Sequence, residues 1–185
     1  MALVSEPRYR SITLDESTAD YLVTARLEDA QELIEGALSG RLLEEAERVE
    51  TLPISSDWRV FPHATPITAV PVDSVYAIDG SSLVNVAADA STLFWPHGWA
   101  DCRRVYATVT YTGGWTQATV PAKLAYSIAQ LAEALGRPGA LPVGARSVSL
   151  GDAAITYDRP LEGLDEYVPG LARKLRGYRY VDLLT

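Results

Sequence analysis

The chain has 185 residues, 48% hydrophobic and 22% charged. This is ordinary globular material, long enough to bury one core or a core and a subdomain. A formal net charge of −8 and a pI near 4.7 exclude a nucleic-acid grip built on clustered Lys and Arg. The absence of any run of about 18 apolar residues excludes a membrane-spanning helix.

The first residues show no basic stretch followed by an apolar core, which predicts no secretion signal. A lone cysteine, Cys102, rules out an intrachain disulfide and fits a reducing compartment. The acidity is uneven. Residues 28 to 50 hold eight Asp or Glu, whereas Arg173 to Arg179 hold four basic residues and no acid. Two differently charged surfaces are expected.

In chain order, residues 1 to 20 carry Pro7 and weak periodicity and read as an arm or short helix. Thr24 is an N-cap candidate for a helix from Ala25, with Leu27, Ala30, Ile34, Ala37 and Leu38 as its apolar stripe. Gly40 is a candidate end, and Arg41 to Glu50 reads as continued helix or strand. Six of the eleven prolines fall between Pro53 and Pro121, a density that no long helix tolerates. Short extended pieces are predicted over 58–61, 67–70, 75–78, 83–86, 92–95 and 105–111, with Asp79-Gly80 as a tight turn. Their spacing predicts a small sandwich or barrel-like β subdomain inserted between helices.

Val105 to Tyr111 alternates β-branched and aromatic residues as a strand, and Gly113-Gly114 stops it. Pro121 then opens a helix whose stripe is Leu124, Ile128, Leu131, Ala132 and Leu135, closed by Gly136 and Pro138. Ser147 to Leu150 and Ala153 to Tyr157 flank Gly151-Asp152 as a hairpin, whose small polar side chains predict that it projects. Leu161, Leu164, Val168, Leu171 and Leu175 form a last helical stripe, broken or restarted at Pro169. Gly177 caps it, and Tyr178 to Thr185 alternates as an extended tail.

The fold class is therefore α+β: a small helical bundle with an inserted antiparallel β subdomain, a projecting hairpin and an extended C-terminal tail. The expected divisions are 1–51 for the arm and first bundle helix and 52–116 for the β subdomain. Residues 117–177 supply the other bundle helices with the hairpin at 146–157, and 178–185 the tail.

Enzyme chemistry finds no support. His63 and His97 lie in Pro-flanked loops without the further ligands a zinc site needs, and read as solvent-exposed loop histidines. Arg103 and Arg104 beside Cys102 can lower a thiol pKa, yet nothing ties a histidine to it, so an inert cysteine is the plainer reading. Gly113-Gly114 lacks the Lys-Ser/Thr of a phosphate loop and the third glycine of a dinucleotide fingerprint. Glu162, Asp165 and Glu166 are acids that a helix start favours. Trp58, Trp95, Trp99 and Trp115 leave one alternative open, a carbohydrate-binding β module, against the plainer reading that they complete its core. No cofactor and no metal is expected.

Several stretches, in this order, resemble the head-to-tail adaptor (connector) proteins of long-tailed bacteriophages. Arg26 to Glu35 looks like that family's first core helix. Val109-Thr110-Tyr111-Thr112-Gly113-Gly114-Trp115, followed by Val120 to Leu124 and Ile128 to Ala132, is similar to its central strand, glycine turn and second helix. Ala145 to Tyr157 looks like its hairpin, and Leu171 to Arg179 like its last helix and basic tail. The β region over 52–111 is longer than compact members carry.

The resemblance implies a non-enzymatic structural protein of the virion, made in the bacterial host cytoplasm. It implies a homo-oligomeric ring, a dodecamer, beneath the portal protein. Such a ring extends the DNA channel, passes viral DNA without sequence-specific binding and offers a platform to the next connector (stopper) or tail protein. No membrane partner is implied. Portal docking then falls to Arg173, Arg176, Tyr178, Arg179, Tyr180, Val181, Leu183 and Leu184, an alternating strand able to pair with an exposed edge beside basic residues suited to an acidic surface. The hairpin residues Ser147, Val148, Ser149, Leu150, Gly151 and Asp152 would contact the ring or the tail side. An acidic conduit suits DNA that must slide without sticking.

Overall fold

The structure is a computed structural model that describes residues 2–38, 41–71, 75–77, 86–94, 106–137, 147–150, 153–156 and 160–178. These fall into two compact units, one drawn from 2–41 and 116–178, the other from 42–115.

The first unit is helical. Helix α1 (Glu6–Thr13) carries Pro7 in its first turn, where a missing N–H costs nothing, and ends at Leu14 in the left-handed region with φ +59°. The N-terminal residues are no free arm: Leu3, Val4 and Tyr9 are buried, and Leu3 N–H donates to Gln31 Oε1 at 2.9 Å. Helix α2 (Asp20–Ala37) begins five residues before the expected start at Ala25, and its N-cap is Ala19, not Thr24. Val23, Leu27, Ala30 and Ile34 extend the buried stripe back by a turn, and that burial outweighs the β-branched residues near the start.

Helix α3 (Ala122–Leu135) follows with Pro121 at its N-cap position and Gly136 at its end. Leu124, Ile128 and Leu131 are fully buried, each contributing roughly 1.5–3 kcal/mol of burial. Helix α4 (Pro160–Tyr167) and helix α5 (Leu171–Leu175) are separate, parted at Pro169-Gly170, and a 3-10 turn spans Arg176–Tyr178. Helices α1 and α2 both pack on α3, α4 packs on α2, and α5 packs on α3. Strands β8 (Ser147–Leu150) and β9 (Ala153–Thr156) form an antiparallel ladder apart from the other sheets; strand numbers β1 to β7 belong to the second unit.

The second unit is built on an antiparallel sheet centred on β7 (Tyr106–Gly113). Strand β1 (Ala46–Pro53) runs along one side in full register from Ala46↔Gly113 to Pro53↔Tyr106. Strands β3 (Ile67–Ala69) and β4 (Val75–Ala77) share the other side. A second sheet orders β2 (Arg59–Val60), β6 (Leu93–Phe94) and β5 (Ala87–Ala88) with β6 central. Leu52, Ala107, Val109 and Tyr111 from the first sheet and Val60 and Leu93 from the second meet, with Ala64, in one core.

Pairing begins ahead of the expected boundary at 52. Leu42 bridges to Ala64, Glu44 bridges to Trp115, and β1 starts at Ala46. Of the two readings of Arg41 to Glu50, strand holds from Ala46: Arg48, Glu50 and Leu52 face Tyr111, Val109 and Ala107, while Glu47, Val49 and Thr51 are exposed. The alternation is period two all the same. The expected Asp79-Gly80 turn and most of the 83–86 strand lie outside the described residues.

Candidate docking surface

The basic C-terminal helix is placed by two polar anchors. Pro169 and Gly170 break the α4 stripe; Gly170 takes φ +78°, and Leu171 N–H returns to the Val168 carbonyl at 3.1 Å. Asp165 Oδ1 then accepts from the Ala172 amide at 2.7 Å, satisfying one of the free donors that opens a helix. Leu171, Ala172 and Leu175 are buried, so Arg173 and Arg176, three residues apart, are turned outward and exposed. At the far end, Arg41 Nη1 donates to the Tyr178 carbonyl at 2.7 Å. Burial pulls the Arg41 pKa down, though a guanidinium keeps its proton in a protein.

Lys174 has a different fate from its neighbours. Its Nζ donates to Gln130 Oε1 at 2.9 Å and lies 5.4 Å from the centroid of the Tyr126 ring. The described part of the basic stretch therefore presents two exposed arginines beside a pinned Tyr178 backbone. Arg179, Tyr180, Val181, Leu183 and Leu184 lie outside the described residues. In the hairpin, backbone pairs run from Ser147↔Thr156 to Leu150↔Ala153, enclosing Ser147, Val148, Ser149 and Leu150; Gly151 and Asp152 lie outside the described residues.

His63 is not the free loop histidine expected. Its Nδ1 is 3.1 Å from Glu50 Oε2, and its backbone N–H donates to the same oxygen at 3.2 Å. His97 and Cys102 lie outside the described residues, and no group of three or more candidate metal ligands occurs among those described. The Gly113-Gly114 turn is structural. Gly114 N–H donates to the Pro66 carbonyl at 2.9 Å and Trp115 N–H to the Leu43 carbonyl at 2.7 Å, leaving neither amide for a phosphate.

Trp115 is 9% exposed and Trp58 packs against the β core, so neither forms an open platform for a sugar. Trp95 and Trp99 lie outside the described residues. The open groove between β3 and β5, lined by Ile67, Val70, Val86 and Asp89 among others, includes no tryptophan among its described lining residues.

Sequence reasoning missed three devices. From sequence Asp165 reads only as an acid that a helix start favours, and Arg41 only as the first residue of a helix-or-strand segment. The third was legible as a repeated pattern: Asp15-Glu16-Ser17-Thr18 and Asp89-Ala90-Ser91-Thr92 each close a loop in the same way. Each aspartate accepts from the Ser and Thr amides and from both hydroxyls.

No protein-family model matches the chain, and no curated protein matches it. Solved structures share its fold. A chain from the neck of an empty gene transfer agent (GTA) particle, computed with C6 symmetry, superposes with a TM-score of 0.54 at 15% identity, over 96% of this chain and 90% of that one. A chain from the virion of a native GTA particle gives the same score and identity over 75% and 81%. This α+β fold is one also found in the neck of a virion-like particle.

Proposed function

We propose that the chain is a structural, non-enzymatic component of a tailed-phage particle: a head-to-tail adaptor that forms a ring under the portal. In this reading it extends the DNA channel and supports the next connector or tail protein. The observation that carries the proposal is the fold shared with a GTA neck chain over 96% of this chain. The order of elements that resembles the adaptor family supports it independently, as does the acidic balance of −8, which discourages DNA from adhering to a channel wall.

The portal would be engaged by Arg173 and Arg176, by Tyr178, and by the alternating segment Arg179 to Leu184. Strand pairing to an exposed edge supplies affinity, and the arginines steer the approach to an acidic surface. The hairpin would meet a neighbouring copy or the tail-side protein. A dodecamer, virion location and passage of DNA without sequence reading follow from the same reading.

The test is made in cells that assemble the particle. Deleting residues 178–185, or combining Arg173→Glu with Arg176→Glu, should leave a folded chain with unchanged circular dichroism while filled heads accumulate without tails. Normal tailed particles from both variants would remove the docking role. Absence of the chain from purified wild-type particles by mass spectrometry would remove the structural reading altogether.

A further inference from the structure

Among the described residues six large apolar side chains are exposed, and three of them, Leu14 (84%), Tyr21 (73%) and Leu22 (39%), lie where α1 turns into α2. One arginine ties this junction together. Arg10 bonds the Glu6 carboxylate at 2.9 Å, the Asp15 and Thr18 carbonyls at 2.8 Å each, and the Asp20 carboxylate at 2.7 Å. Leu14 is held at φ +59°, a conformation unfavourable for a leucine. The Leu14 amide closes α1 by donating to the Arg10 carbonyl at 2.8 Å, while its side chain, 84% exposed, buries little against its own chain. Glu16, exposed, leaves an acid at the edge of the patch, while the Asp20 carboxylate is already paired with Arg10.

Complementary chemistry occupies the opposite end of the same helical unit. Leu3 N–H bonds Gln31 and the Ala2 carbonyl accepts from Gln117, which ties the C-terminal half of α2 to the start of α3. At the other end the Arg26 guanidinium covers Gly136, just past α3. The two helices therefore run antiparallel, and the α1–α2 junction lies toward the C-terminal end of α3. Near the N-terminal end of α3, Lys123 and Tyr126 are exposed on one face, with Lys174 over the Tyr126 ring and no acid between Ala122 and Gln130. Lys123 and Gly136 are 13 positions apart in sequence, about 20 Å along a helix. One copy cannot fold the two patches together. Two copies placed head to tail can.

We infer that the Leu14–Tyr21–Leu22 patch of one copy seats against the Lys123–Tyr126 face of a second copy, a heterologous contact that repeats around a closed ring. Glu16 meets Lys123, and apolar side chains meet the tyrosine ring. The inference rests on the ring reading above and names the surfaces that would build it.

Full-length copies in a Cys102→Ser background, carrying Ala19→Cys or Ala122→Cys at exposed positions beside the two patches, are treated with a short thiol cross-linker as concentrated protein and in assembled particles. Mixed copies should link about tenfold more than either alone, a preference equivalent to about 1.4 kcal/mol. Linking confined to like copies, equal to a Ser11→Cys control, or directed to a different particle protein overturns the inference. Oligomers that persist without the mixed link leave the ring reading standing while this one falls. Copies that neither associate nor link by any pair of sites, in solution or in particles, remove the ring itself. Two further variants separate contact from folding. Leu14→Gly should raise the melting temperature yet lower linking, and Glu16→Lys with Lys123→Glu should restore the linking that each alone reduces.

Discussion

The Tyr111 hydroxyl lies 3.0 Å from the Ala64 amide and accepts its hydrogen bond in the β core, across 47 residues of sequence. The same hydroxyl interacts with Glu50, whose carboxylate also receives His63. Burial pushes the Tyr111 pKa well above the ordinary value for a phenol, so the group stays neutral and can both accept and donate.

Tyr111→Phe leaves a buried amide without its partner, and the expected loss is about 1–3 kcal/mol. Tyr9 supplies the contrast: its buried hydroxyl makes no well-formed hydrogen bond among the described residues, with only the Thr13 side chain acting on it, so Tyr9→Phe should cost less than Tyr111→Phe. Urea unfolding of both variants checks the pair. Equal losses would refute the assignment.

Gly114 and Gly170 both adopt positive φ, +109° and +78°, but their surroundings differ. A Cβ on Gly114 would stand 2.5 Å from the Glu44 carbonyl oxygen, a backbone atom that cannot turn aside, whereas Gly170 has nothing within 4 Å. Gly170→Ala should cost about 1 kcal/mol for the left-handed backbone alone. Gly114→Ala should cost clearly more, with the loss seen in thermal melts; a reversed order would contradict the packing described.

Asp89 accepts two amides at 2.7 Å each, from Ser91 and Thr92, and both hydroxyls at 3.1 and 2.9 Å. The Ser91 amide leads in lowering its pKa from 3.8 to about 2. A depressed folded pKa means that the loop's contribution is fully present above the unfolded value near 3.8 and is lost as pH falls through about 2. Carboxyl NMR titration should therefore place Asp89 well below an unstructured aspartate, and a midpoint near 3.8 would contradict the loop geometry.

Arg41→Met removes the donor to the Tyr178 carbonyl while retaining most of the side chain's apolar stem. Amide exchange over Arg176–Tyr178 should accelerate, with α2 and α3 unchanged. Exchange unaffected at that turn would show that Arg41 does not pin it.

Particular elements show what was readable in the residues. The β7 strand, its glycine stop and helix α3 were legible because period two, glycine and period 3.6 follow one another without conflict. Strand β1 was legible only as one of two readings, helix or strand, because Arg48 and Glu50 occupy positions opposite Tyr111 and Val109 where apolar residues are the usual signal. The start of α2 was hidden because Tyr21, Val23 and Thr24 weaken local helix preference, and burial of Val23 favours the earlier start. In the candidate docking surface the basic run itself was visible, but not which members face outward. Lys174 folds back on Gln130 and Tyr126, leaving Arg173 and Arg176 exposed.

The sequence by itself determined the α+β class, the insertion of a β module between helices and the polarity of charge along the chain. Those properties are local: they rest on periodicity, breakers and composition, which each segment carries alone. Tertiary structure decided the partners that span long separations, such as Ala64 with Tyr111 and Arg41 with Tyr178. It also decided that the Leu14 junction and the Lys123–Tyr126 face lie at opposite ends of the helical unit. Such relationships depend on how helices and strands close on a shared core, a many-body packing outcome that no single stretch encodes.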